Sequence, residues 1–214
     1  MIKDREFILN NFIKELVRLE FAFKNNLFPL KSELENKLVI LKNLSNEIDL
    51  NEFKYLINRH SLISFLAKSN VINSLSQEFF QLVKFLFKEQ LICSLRIFQL
   101  TKEINQSLKA ENIKFLIIKG SPLSHQVFGN LEGRGKCIDV DVLVDLKQLS
   151  RIIEVLSLKG FKVKESQINY FQDSLFGNYC RFITPELTLY RKNNNSIYII
   201  DLHWRLSWIS DGLP

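Results

Sequence analysis

The sequence predicts an α+β chain, with a helical bundle in its first half packed on a β-sheet unit in its second. Three observations carry that prediction. All seven glycines lie beyond residue 119, and Pro29 is the single proline before that point, so the first half lacks the residues that punctuate helices. Its apolar residues recur at helical spacing. From Lys114 onward the pattern changes to short apolar runs bounded by turn residues.

The helical spacing runs through Phe7, Ile8, Phe12, Leu16, Leu19 and Phe23, then Leu34, Leu38, Leu41 and Leu44, then Phe79, Leu82, Phe85, Leu86 and Ile92. These stripes predict a packed bundle of about five helices. The many phenylalanines are read as core packing. In the second half, Phe115 to Ile118 is apolar and β-branched, and Gly120, Ser121 and Pro122 break it. Ser121 as N-cap followed by an N1 proline predicts a short helix running to about Gly129. Ile138 to Val144 alternates at its start and is expected as a strand, and Lys147 to Lys159 as a helix closed by Gly160. Phe161 to Glu165 alternates again, and Tyr179 to Thr184 is a further expected strand. Leu187 to Lys192, a turn at Asn193 to Asn195, and Ile197 to Leu206 read as a hairpin. No linker separates the halves, so the helix before Glu111 is expected to pack directly on the sheet.

Composition narrows the function. With 214 residues, 46% hydrophobic and 24% charged, the chain is neither collagen-like, disordered nor a disulfide scaffold. Its most apolar stretch, Phe79 to Leu100, is interrupted by Lys84, Lys88, Glu89 and Arg96, so no membrane-spanning helix is expected. The opening MIKDREFILNN carries acidic residues where a secretory signal needs an apolar core, and a cytoplasmic location is expected. Cys93, Cys137 and Cys180 form no CxxC pair and are read as reduced thiols. The net charge of +6 is spread, with 16 basic and 12 acidic residues up to Ala110 and 13 and 11 beyond. Diffuse basicity attracts polyanions such as nucleoside triphosphates and gives no dedicated nucleic-acid surface.

The chemistry concentrates in three carboxylates and one glycine turn. Side chains alternate across a strand, so Asp139 and Asp141 share a face, about 7 Å apart at the backbone. Like charges at that separation repel unless a cation sits between them. In the last strand Asp201, His203 and Arg205 share a face. If the two strands are neighbours, Asp201 completes a three-carboxylate cluster. Hard oxygen ligands select Mg2+ or Mn2+, with positions left for substrate phosphates. The turn Lys119-Gly120-Ser121 supplies a phosphate cradle: glycine admits close approach, the following helix presents free amides, and a serine hydroxyl adds a donor.

The order of these signals resembles the uncharacterised nucleotidyltransferases of the DNA polymerase beta-like superfamily. The resemblance is carried by LIIKGSPLSHQVFG (Leu116 to Gly129), DVDVLV (Asp139 to Val144), the step Gly160-Phe161 and IDLHWRL (Ile200 to Leu206). It covers residues 55 to 214, including the phrase ENIKFLIIKG at the end of the helical approach. It implies a nucleotidyltransferase-type mixed sheet with flanking helices over 111–214, preceded by a helical region over 1–110. By the same resemblance Gly120 and Ser121 hold the triphosphate, Asp139 and Asp141 bind the metals, and Asp201 is the third carboxylate, as metal ligand or general base. Lys119 reads either as a charge partner for phosphate or as a side chain snorkelling outward. Arg134 reads as a second phosphate contact or as part of a solvated loop. His203 reads as a residue orienting acceptor or carboxylate, or as a structural histidine. His60 and His125 are expected to be structural or at the surface, and Trp204 and Trp208 to belong to the core. Relatives continue into further helices after the HW segment, so the resemblance implies that those helices are missing here.

Three functional classes follow. The first is an enzyme that moves a nucleoside monophosphate, with AMP the leading choice, from a triphosphate to a hydroxyl of a protein or small molecule by two-metal catalysis. The second is an inactive interaction module on the same fold. The third, an RNA-directed transferase, is disfavoured by the absence of a basic groove interleaved with aromatics.

Overall fold

The computed structural model describes residues 2–25, 31–131, 133, 137–171, 175–193 and 196–205. These form two compact units, 1–90 and 91–214. The first contains the α-helices α1 (Ile2–Lys24), α2 (Lys31–Ser45), α3 (Leu50–Arg59), α4 (Ile63–Leu66), α5 (Asn70–Leu75) and the start of α6 (Gln77–Ala110). The described residues of this unit thus hold all or part of six helices where about five were expected; α4 and α5 have only four and six residues. Helical periodicity is hard to detect in one or two turns.

The phenylalanines of this unit do pack its core. Phe53 stacks on Phe79 with ring centroids 4.3 Å apart, and Phe12 meets both edge-on at 6.1 and 6.3 Å. Such aromatic contacts add to the burial of their large apolar surface. Asp49 caps α3 reciprocally: its side chain accepts from the Glu52 amide at 2.9 Å, and the Glu52 carboxylate accepts from the Asp49 amide at 3.1 Å. Glu20, fully buried, accepts from the Ser69 hydroxyl at 2.5 Å and lies 3.2 Å from Lys24 Nζ.

The second unit is a sheet that packs one face against two helices. Its strands are β1 (Phe115–Ile117), β2 (Asp139–Val144), β3 (Lys162–Val163), β4 (Glu186–Asn193) and β5 (Ser196–His203). They lie in the order β1-β2-β5-β4-β3, with β2 and β5 parallel and the other pairs antiparallel. The sheet is therefore mixed. Val140, Val142, Val144, Leu187, Leu189, Ile200 and Leu202 project from one face into a single core with Ile97, Leu100, Ile104 and Leu108 of α6. Helix α8 (Leu149–Ser157) adds Ile152 and Leu156 to that core. Burying this face leaves the opposite one, with its polar alternates, for other work.

Two local expectations are corrected. Tyr179 to Thr184 is not a strand: residues 175–183 form the helix α9 (Leu175–Ile183), closed by the Thr184 hydroxyl donating to the Cys180 carbonyl at 2.6 Å. The aromatic and β-branched residues that suggested a strand lie mostly on its exposed side, while Cys180 is buried. The N-cap of the short helix α7 (Ser121–Phe128) is Gly120 and not Ser121, which is already the first helical residue. A 3-10 turn at Leu146–Gln148 precedes α8, and another 3-10 segment, Glu165–Phe171, follows the two-residue β3. Among the described residues no helix is long and apolar enough to cross a membrane.

Candidate active site

The open face of the sheet assembles the residues that the sequence singles out. Parallel pairing of β2 with β5 sets Asp141 directly beside Asp201, and Asp139 beside Ile199. All three aspartates therefore face away from the core. The turn after β1 comes to the same place because the Ile118 amide donates to the Asp141 carbonyl at 3.1 Å.

Gly120 makes this approach possible. Its φ of 84° and ψ of −153° lie in a region that is essentially restricted to glycine. A Cβ there would stand 3.4 Å from Cys137 Sγ and 3.7 Å from the Asp139 carbonyl. The turn thus packs on the first residues of β2, and α7 begins immediately beyond it. Its first-turn amides have no helical acceptors and give that end a partial positive charge. Ser121 contributes its backbone to this turn; its side chain, like the whole of Arg134 and Trp208, lies outside the described residues.

Asp141 is the best-connected carboxylate. It is 5% exposed, and its Oδ1 accepts from Lys119 Nζ and lies against His203 Nε2, each at 2.9 Å. Burial pushes its carboxyl up, but the bonds from His203 and Lys119 outweigh that and hold it below the usual carboxylate range. Asp139 goes the other way, raised by burial and then by the charges of Asp141 and Asp201. Asp201 is also raised: burial is the largest cause and outweighs the lowering bond from Thr188, and the charges of Glu186 and Asp141 add to the rise. The site thus concentrates negative charge on its open side, which suits a cation or the metal complex of an anion.

Three residues join this cluster that the sequence reading did not name. The Thr188 hydroxyl donates to Asp201 Oδ1 at 2.7 Å, and the Thr188 amide donates to Gln167 Oε1 at 2.8 Å. Glu186 Oε2 lies 3.6 Å from His203 Nδ1, so the buried imidazole stands between two carboxylates. A signal for two of them was present. Counting outward from the hairpin tip, where Asn193 pairs with Ser196, puts Thr188 opposite Asp201 and Glu186 opposite His203.

Trp204 packs partly buried against the core and donates from Nε1 to the Arg181 carbonyl at 3.0 Å. His60 and His125 are exposed.

Residues 46–212 match a protein family described as uncharacterised nucleotidyltransferase. The match takes in most of the chain, from residue 46 of the first compact unit to residue 212 of the second. The chain belongs to this family. No curated protein and no solved structure matches it. Membership gives the Gly120 turn and the aspartate face a chemical context, nucleotidyl transfer on a nucleotide substrate.

Among the described residues no three acidic, histidine or cysteine side chains close round one point as a ready-made metal cage. Mg2+ seldom uses such a cage, being held by one or two carboxylates together with substrate phosphates and water. The donors present, the carboxylate oxygens of Asp139, Asp141 and Asp201 on one face of the sheet, fit that mode of binding.

Proposed function

We propose that the chain transfers a nucleoside monophosphate, AMP first among the candidates, from a nucleoside triphosphate to a hydroxyl of a protein or small molecule. The observation that supports this most directly is the in-register pairing of Asp141 with Asp201 beside the Gly120 turn. Asp139 and Asp141, with Asp201, would hold Mg2+ or Mn2+, which when bound neutralises phosphate charge and activates the attacking oxygen.

The chain's own groups account for the rest. The Gly120 turn and the α7 amides bind the triphosphate, and the Ser121 hydroxyl and the Lys119 ammonium add donors to it. Asp201, its carboxyl raised and one oxygen fixed by Thr188, takes the proton of the acceptor hydroxyl. That oxygen forms its bond to the α-phosphorus as the bond to the β-phosphate bridge breaks, and pyrophosphate leaves. His203 keeps Asp141 in place from the buried side.

The test is transfer of label from the α-phosphate of each of the four common triphosphates to acceptors in a cell extract supplied with Mg2+. Transfer by the wild type, lost in Asp139→Asn/Asp141→Asn and in Asp201→Asn, is expected. Label transfer that persists in those variants would refute the assignment, and absence of transfer by the wild type would favour the interaction-module reading.

A further inference from the structure

Asp141 Oδ1 already has two donors, Lys119 Nζ and His203 Nε2, both at 2.9 Å. A carboxylate oxygen offers two lone-pair sites, so both are engaged. A divalent cation that binds through this oxygen must displace one of the two, and one that binds through Oδ2 must share the carboxylate with the like charge of the Lys119 ammonium.

The surroundings decide which donor leaves. His203 is 8% exposed and is flanked on its other nitrogen by Glu186. The Lys119 side chain is 49% exposed and ends in a compact ammonium on a flexible four-carbon stem. It is also the residue immediately before Gly120, so its ammonium can swing from the carboxylate toward an anion seated on the turn.

We infer that Lys119 is an exchangeable stand-in for the cation: it pairs with Asp141 in the free protein and moves to the phosphates when the metal–nucleotide complex binds. The inference rests on the nucleotide-site reading above. It makes the free protein a poor binder of metal alone and a good binder of the metal–nucleotide complex, because only the complex brings an anion to receive the displaced ammonium. The two events are then coupled in the thermodynamic sense.

The decisive measurement compares wild type with Lys119→Met, and with Lys119→Gln as a second variant, in two titrations. One uses Mn2+ alone, followed by the paramagnetic resonance signal of the free ion. The other uses the magnesium complexes of ATP, GTP, CTP and UTP, followed by calorimetry. The expected result is opposite in sign: Mn2+ alone binds about tenfold more tightly to the variants, and the magnesium–nucleotide complex about tenfold more weakly, a size ordinary for coupled sites.

A purely structural lysine would weaken both titrations, and a lysine that serves phosphate alone would leave Mn2+ binding unchanged. Either outcome overturns the exchange while leaving the nucleotide site intact. If the wild type binds none of the four complexes, the nucleotide-site reading fails and the exchange falls with it.

Discussion

Arg191 provides a quantitative test of how the hairpin that carries Asp201 is anchored. Its guanidinium donates through Nη1 and Nη2 to the two oxygens of Glu103 at 2.7 and 2.9 Å, and through Nη1 to the Lys159 carbonyl at 2.9 Å. It also stands 4.5 Å from the centre of the Phe161 ring and 5.2 Å from that of Tyr198. One side chain thereby ties β4 to α6, to the chain after α8 and to β5. Hydrogen bonds to charged partners contribute about 1.5–3 kcal/mol, and a ring contact about 0.5–1 kcal/mol. The pair is partly solvated, with 22% and 34% of the two side chains exposed, so screening holds its contribution toward the low end. Arg191→Met keeps apolar contact with Phe161 and is expected to cost about 2 kcal/mol. With a urea slope of about 2 kcal/mol/M, that lowers the unfolding midpoint by about 1 M. Tryptophan fluorescence is a suitable probe because both tryptophans belong to the second unit. The effect has a defined pH dependence. The hydrogen bond from Arg191 holds the Glu103 carboxyl below its ordinary value, so the stabilisation is fully present above the unfolded pKa of about 4.3 and is lost as pH falls through the lower folded value. An unchanged midpoint at pH 7, or a gap between wild type and variant that persists in strong acid, would refute this account.

Two further predictions concern the site itself. Gly120→Ala should cost about 1–3 kcal/mol of stability, because alanine is strained at this positive φ. It should also abolish magnesium–nucleotide binding by moving the turn off β2, with thermal unfolding and calorimetry reading the two effects. Thr188→Val removes the hydroxyl bond to Asp201 and should lower the transfer rate by about 10- to 100-fold, the equivalent of about 1.5–3 kcal/mol. Thr188→Ser should restore it, and equal loss in both variants would show that the hydroxyl has no positioning role.

The sheet's chemistry was legible from sequence because strand alternation is a local rule. It placed Asp139 with Asp141, and Asp201 with His203, before any pairing was known. What alternation cannot give is which strands are neighbours; the parallel contact of β2 with β5 joins residues some sixty positions apart and depends on the whole core. The glycine turn was also legible, although its capping residue was shifted by one: Ser121-Pro122 offers a good cap, but the N-cap position has a φ of 84°, which suits Gly120. Helix α9 is hidden in the sequence because Tyr179, Phe182 and Ile183 have strand propensity. Tertiary anchoring through the Trp204 bond to the Arg181 carbonyl accompanies the helical outcome. The passage from one compact unit to the next left no mark in the sequence, since α6 runs through it with uninterrupted helical periodicity.

The most direct test of the central claim is calorimetric titration of ATP, GTP, CTP and UTP with Mg2+ into the wild type and into Asp139→Asn/Asp141→Asn. The account predicts binding of at least one triphosphate by the wild type and its loss in the folded variant. Binding that is unchanged by removal of these two carboxylates would contradict it, as would failure of the folded wild type to bind any of the four.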